Sequence, residues 1–315
     1  MAAISFDEQP YSLPDAYIRG RIGVVTVTYN SSQVLPEFLL SLESQTHHDF
    51  VLYAVDNASK DDTLIQLAQW SDPRKAVIPN IENLGVAAGN NQGIRSAIED
   101  GCEYVLLLNN DVCFGSELFQ QLLDGLRGHR CSMTTPLIYY HEPKDKIWCA
   151  GGYFQPRLGY RSLHYGENQI DVGQFSEVRA VTYAPTCCVL IRREVFSQIG
   201  LMDERYFVYS DDTDFMLRAM KAGLVLYYLP TAKLWHKVNS LTGADSPFSM
   251  RYGARNRAFF IAKHVGGKRA GVFHWLYSMY YLLRFVLRKD TLDAYRIKRT
   301  AWVEGKYLLA RTDRA

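Results

Sequence analysis

Several short polar clusters carry side chains able to do chemistry, and most of them follow a run of apolar residues. Asn109-Asn110-Asp111 comes directly after Val105-Leu106-Leu107-Leu108, so a strand would deliver one carboxylate and two amides together. Oxygen donors of this kind suit Mg²⁺ or Mn²⁺. The trio is also good turn chemistry, but a turn does not need its carboxylate. Asp56-Asn57 ends a second run, where a carboxylate can accept from a donor-rich base edge while Asn57 and Asp61 shape the loop. Between Asp203 and Asp214 lie five acids in twelve residues, followed by an amphipathic helical pattern. Capping that helix requires only one carboxylate, and crowding raises the pKa of at least one neighbour, which suits a general base. Trp235-His236 ends another apolar run, from which an imidazole can complete a metal site with Asp111 or serve structure alone.

These clusters need elements to position them. Ile22 to Thr28 is a continuous β-branched run stopping at Tyr29-Asn30-Ser31-Ser32, a turn and cap cluster, and a helical face follows at Val34, Leu35, Phe38, Leu39 and Leu42. Phe50 to Val55 and Ala76 to Ile78 predict strands, with Asp61 and Asp62 able to cap the helix between them. Asn83-Leu84-Gly85 and Gly89-Asn90-Asn91-Gly93 open a further helix to about Asp100. They lack the spacing of a dinucleotide fingerprint, and either a diphosphate contact or a plain helix start accounts for them. Tyr104 to Leu108 predicts the fourth strand, with Ser116 capping the helix after it.

Strands alternating with helices predict an α/β fold: a mostly parallel, Rossmann-like sheet covered on both faces, binding ligands beyond the carboxyl ends of its strands. From about Met133 the pattern changes to shorter aromatic pieces punctuated by glycine, which predicts a mixed-sheet extension with loops for a second substrate. Residues 251–315 predict two or three helices, a basic appendage on the domain at 20–250. The first 250 residues hold 20 Lys/Arg against 29 Asp/Glu, and the remainder 15 against 4. A basic tail with interleaved aromatics suits an anionic membrane surface or a nucleic acid, and a solvated surface equally. Tyr252, Arg255, Asn256 and Arg257 at its start can clamp phosphate or simply face water. The six cysteines show no metal-type spacing and read as reduced core residues in a cytosolic chain. No signal-like start and no uncharged spanning run is present; Phe273 to Leu287 is long enough only to lie flat on a bilayer.

In order, Val25-Thr26-Val27-Thr28-Tyr29-Asn30, the stretch Val55 to Thr63, Asn83-Leu84-Gly85, Asn109-Asn110-Asp111, Asp203-Glu204-Arg205-Tyr206-Phe207, Asp211-Asp212-Thr213-Asp214 and His236 resemble the family 2 glycosyltransferases. These are inverting enzymes of the GT-A fold, and the likeness is nearest to bacterial rhamnosyltransferase-like members that build surface polysaccharide. It covers residues 20–265 and implies a nucleotide-sugar half at 20–130 and an acceptor half at 131–250. It further implies that Thr28, Tyr29 and Asn30 line the nucleotide pocket with Asn83, Gly85, Asn109 and Asn110, that Asp56 reads the base, and that Asp111 with His236 holds Mn²⁺ or Mg²⁺. Asp212 corresponds to the catalytic base, and Asp211, Asp214, Trp148, Gly151 and Gly152 fall on the acceptor side. The implied partners are a nucleotide-sugar donor, dTDP-rhamnose ahead of UDP-hexoses, and a glycan or lipid-linked acceptor, with no nucleic acid. The implied location is cytoplasmic, at the inner face of a membrane. Two departures stand out: the usual Asp-x-Asp is Asn109-Asn110-Asp111, and the usual Glu before the base is Asp211. The competing readings are a noncatalytic glycan-binding or assembly protein on the same fold, and a sugar-phosphate nucleotidyltransferase. The latter would carry a Gly-rich basic loop where this chain has Tyr-Asn-Ser-Ser.

Overall fold

The computed structural model describes residues 20–238 and 246–312; the polar lead-in before residue 20 lies outside the described residues. β1 (Ile22–Thr28), α1 (Leu35–Glu43), β2 (Phe50–Asp56), α2 (Thr63–Gln69), β3 (Lys75–Pro79), α3 (Val86–Glu99) and β4 (Tyr104–Leu108) alternate as the sequence pattern predicts. Strands lie in the order β3-β2-β1-β4, all parallel, so Thr28 and Asp56 end side by side at one edge. β1, β2 and β4 are almost wholly buried, because helices cover both faces and leave only apolar runs stable there. The glycines of α3 serve this packing. A side chain on Gly93 would run into Val25, and one on Gly89 would come within 2.8 Å of Val27, so their absence lets α3 lie tight on β1.

β5 (Val112–Phe114), α4 (Leu118–Gly128), β6 (Met133–Tyr140), β7 (Ile147–Cys149), β8 (Gly152–Gln155), β9 (Arg161–His164), β10 (Arg179–Val181), β11 (Cys188–Arg192), α5 (Arg193–Ile199), α6 (Asp211–Lys221) and β12 (Leu226–His236) build the second half. The sheet continues from β4 through β11, β6, β12 and β10, with β11 antiparallel to both neighbours and β12 parallel to β6. This is the mixed extension predicted; β8 and β9 form a separate hairpin. Ser116 does not cap α4, which starts after Glu117 with no side-chain cap. Asp61 instead accepts from the Ser32 and Thr63 backbone N–H groups, tying the loop after β2 to the loop after β1.

α7 (Pro247–His264), α8 (Gly267–Val286) and α9 (Leu292–Thr312) complete the chain, and no helix among the described residues is long and apolar enough to cross a membrane. A boundary at 250/251 falls inside α7, whose Phe259 and Phe260 are buried in the core shared with β1, β4 and α6. α7 is therefore part of the sheet-containing body, and α8 and α9 pack onto it around Trp302 and Tyr281.

Candidate active site

At the β1–β2 edge, Asp56 is fully buried and already engaged. Thr28 Oγ1 donates to its Oδ1 at 2.8 Å, Ser59 Oγ donates to Oδ1 at 2.5 Å, and the Ser59 N–H donates to Oδ2 at 2.9 Å. Asp56 and Thr28 thus brace each other where β1 and β2 end, with both Asp56 oxygens engaged. Tyr29 and Asn30 above them are exposed; Asn30, at φ +51°, is fixed by the Ser59 hydroxyl and the Lys60 N–H. Asn83 accepts from the Gly85 N–H, and Gly85 sits at φ +86° where any side chain would strike the Phe207 carbonyl. These two hold the start of α3 against the loop before α6.

β4 carries Asn109 to Asp111 to the same edge. The Asn109 N–H donates to the Cys187 carbonyl, and Asn110 is buried with its amide donating to the Val27 carbonyl at 2.6 Å. Three-residue β5 then pairs antiparallel with the end of β12, setting His236 opposite Val112 and bringing its Nε2 to 3.1 Å from Asp111 Oδ1. Both groups are largely buried. Burial pushes the imidazole's pKa down, but the Cys187 sulfur and the Asp111 carboxylate push it up further, to about 10. His236 Nδ1 has no hydrogen-bond partner among the described residues. A divalent cation bound here would displace the proton that Nε2 otherwise donates to Asp111; with the remaining ring hydrogen on Nδ1, Nε2 and Asp111 Oδ1 would converge as one nitrogen and one oxygen donor, a set that fits a cation completing its shell from phosphate oxygens. A second grouping, Glu37, Cys113 and His141, has its ligand atoms within 4.8 Å of one another. There Lys237 Nζ lies 2.5 Å from Glu37, so an ammonium already supplies the positive charge.

α6 supplies the acids. Asp212 is half-buried: its Oδ2 accepts from the Tyr183 hydroxyl at 2.7 Å and its Oδ1 from the Thr213 N–H at 2.6 Å. Burial, and then the charge of Asp212, raises the Tyr183 pKa well above its usual value, so the phenol remains a donor. Asp211 is buried with Oδ2 lacking a partner among the described residues, and burial followed by the neighbouring Asp212 charge pushes its pKa up to about 7. Asp214 is removed from the acceptor side altogether. It is fully buried and paired with Arg218 (2.8 Å), Lys263 (2.6 Å) and His264 (2.7 Å), fastening α6 to α7.

Trp148 and the two glycines join these parts. Trp148 meets His236 edge-on at 4.7 Å and His164 at 4.9 Å, and His164 stacks on Tyr183 at 5.7 Å. A row of rings therefore runs from the Asp111–His236 pair to the residue holding Asp212. Burial lowers the His164 pKa, keeping the ring neutral, with Nδ1 donating to the Trp148 carbonyl. Gly151 sits at φ +72°, and a side chain on Gly152 would strike the Leu163 carbonyl and the Tyr183 ring, so both let the β8–β9 hairpin close on Tyr183. Sequence reasoning missed Tyr183 and His164, which lie outside any motif. The basic group in α7 is committed internally: Arg255 to Glu304 and the Arg205 carbonyl, Arg257 to Tyr277 and the Leu158 carbonyl.

Residues 23–200 match the model of Glycosyl transferase family 2. The chain is 28% identical over 309 residues to the N-acetylglucosaminyl-diphospho-decaprenol L-rhamnosyltransferase of Mycobacterium tuberculosis, covering 90% of this chain and 98% of that one. It is 23% identical over 257 residues to the dTDP-rhamnosyl transferase RfbF of Shigella flexneri, covering 78% and 82%. Among solved structures, the mannosyltransferase PcManGT from Pyrobaculum calidifontis in complex with GDP-Man and Mn²⁺ superposes with a TM-score of 0.55 at 17% identity, over 97% of this chain and 90% of that chain. GalNAc-T7 with UDP, GalNAc and Mn²⁺ gives 0.59 at 15% identity over 79% of this chain, which spans 48% of its length. A carboxylate set at the strand edge, a second one placed across a row of aromatic rings, and a family model covering more than half of the sequence all agree: the chain belongs to glycosyl transferase family 2, a nucleotide-sugar-dependent glycosyltransferase of the GT-A fold.

Proposed function

We propose that this enzyme transfers L-rhamnose from dTDP-rhamnose, with inversion, to a sugar carried on a polyprenyl diphosphate. Both rhamnosyltransferase relatives support the sugar, and the decaprenol in the name of one supports the acceptor. The observation that carries the mechanism is the Asp212 carboxylate, half-exposed and oriented by Tyr183 at the far end of the ring row from Asp111 and His236.

Residues 20–130 hold the nucleotide: Tyr29 and Asn30 flank it over the floor made by Thr28 and Asp56, and Asn109 and Asn110 fix the strand edge. Residues 131–250 hold the acceptor, with Trp148, His164 and the Gly151-Gly152 hairpin as its wall. Asp111 and His236 would hold Mn²⁺ or Mg²⁺, which when bound supplies positive charge against the departing diphosphate. Asp212 takes the proton of the acceptor hydroxyl as that oxygen attacks the anomeric carbon, and the single displacement inverts it. Tyr183 keeps the carboxylate aimed, so that little reorganisation is left to the reaction.

The test is thermal stabilisation by dTDP-rhamnose, UDP-glucose and GDP-mannose with and without Mn²⁺, followed by transfer to a polyprenyl-diphosphate-linked N-acetylglucosamine and assignment of the product anomer. Mn²⁺-dependent stabilisation by dTDP-rhamnose and an inverted product are expected. Stabilisation by another donor in its place overturns the sugar assignment, and a retained anomer overturns the role of Asp212.

A further inference from the structure

α8 is apolar on two opposite sides. Its inner side, Ala270, His274, Tyr277 and Tyr281, packs against α7 and α9 around Trp302. At 3.6 residues per turn, Val272, Trp275, Leu276, Met279, Leu283 and Val286 line up on the outer side, and each is between 41% and 65% exposed. Monomeric proteins seldom leave so continuous an apolar face in water. Cations bracket it: Lys268 and Arg269 in the first turn, Arg288 and Lys289 just past the last, all exposed. Trp275 and Tyr280, both exposed, supply the amphipathic rings that favour a lipid headgroup layer.

We infer that this outer face of α8 docks the enzyme on an anionic lipid bilayer, lying flat in the headgroup layer. Charge complementarity selects this occupant. An apolar stripe flanked by lysine and arginine at both ends repels an identical copy at its rim and attracts acidic headgroups. The face is also coupled to the site. The turn at Pro156–Leu158, at the tip of the β8–β9 hairpin, has an exposed Leu158; its carbonyls accept from Arg269 of α8 and Arg257 of α7. The other end of β9 is His164, stacked on the Tyr183 that holds Asp212. A bilayer against α8 therefore meets one end of a four-residue strand whose other end borders the base. A membrane-embedded polyprenyl tail would thereby present its diphosphate sugar to Asp212, a consequence that rests on the lipid-linked acceptor proposed above; the docking itself does not.

The experiment is flotation of the full chain with vesicles of pure phosphatidylcholine and of phosphatidylcholine containing one-third phosphatidylglycerol, for wild type and Trp275→Glu/Leu283→Glu. Both substituted positions are exposed, so an unchanged Tm is expected and serves as the folding control. Wild type should bind the anionic vesicles, less so at high salt, and the double variant should bind at least about tenfold more weakly. The variant should keep its activity on a short, water-soluble acceptor and lose it on the same sugar embedded in vesicles. Equal binding of variant and wild type, no preference for anionic vesicles, or a dimer in dilute solution that the double variant dissociates would each overturn the proposal. Thermal stabilisation by the donor is read separately, so docking can fail while the catalytic assignment stands.

Discussion

Asp211 offers a quantitative test of what the site costs the fold. Its carboxyl is buried with no partner for Oδ2 among the described residues, beside a charged neighbour, and its pKa is pushed up from 3.8 to about 7, burial being the larger cause. Because the folded value lies above the unfolded one, the native state binds more protons between them, and stability must fall as pH rises from about 4 to about 7. A difference of roughly 3 pKa units at 1.36 kcal/mol each sets a ceiling of roughly 4 kcal/mol. With an unfolding entropy of about 2.1 cal/mol/K per residue, that corresponds to roughly 6 °C in Tm for a chain of this size. Asp211→Asn removes the ionisation and keeps the shape. The assay is urea and thermal unfolding of both proteins from pH 4 to 8. The offset at pH 4 measures the cost of the amide itself, and the widening of the gap in the variant's favour toward pH 8 measures the buried carboxyl. Parallel profiles across that range would refute the reasoning, since they would mean that burial places no penalty on the charged form.

Asp212→Asn should lower kcat by about 10³ while dTDP-rhamnose still stabilises the protein, because only the base is lost; an equal loss of donor stabilisation would move Asp212 to the donor site. Asp111→Ala should abolish the Mn²⁺-dependent part of donor stabilisation and leave the metal-free part, read as the difference between two thermal scans. Asp214→Asn should destabilise the fold by about 3 kcal/mol or more, as it strips Arg218, Lys263 and His264 of their common partner. Burial opposes the Asp214 charge, but His264, Lys263 and Arg218 hold its pKa well below the usual 3.8, so its contribution is present above about pH 4 and is lost as pH falls further. The variant should therefore lose the acid-limb slope that wild type shows in urea unfolding.

The strands were legible because burial on both faces forces continuous apolar runs, and β1 and β4 begin and end where those runs do. The strand-end clusters were legible for the same reason: a buried strand has only its ends to offer polar residues. Roles were harder to read where one residue type serves two ends. Gly89 and Gly93 look alike whether a phosphate or Val27 and Val25 approach them, and only the packing of α3 decides. Tyr183 and His164 carry no local signature, since they meet Asp212 and Trp148 across separate strands and loops. The helical tail misled through composition. Its charge suggests a solvated face, yet Arg255 and Asn256 point into the body and the next turn buries Phe259 and Phe260.

That last point bears on how the acids at 211, 212 and 214 acquire three different environments within one helical turn. α6 begins after a loop in which Phe207, Tyr209 and Ser210 all hold φ near +64°, a region that costs a residue with a side chain about 1 kcal/mol or more. Such a loop persists only if something over-determines it. The two amide hydrogens of Asn256 in α7 are shared among the carbonyls of Tyr206 (2.8 Å), Val208 (2.6 Å) and Tyr209 (2.9 Å), and the Val86 N–H at the start of α3 donates to that of Phe207. Lys263 and His264, further along α7, hold Asp214. The same helix thus fixes the loop before α6 and the third acid within it. With both anchored, Asp211 is buried and Asp212 accepts from Tyr183. Asp212, the proposed base, is thus placed by a helix that follows the last of the motifs carrying the family likeness, so the body that would carry catalysis extends into α7.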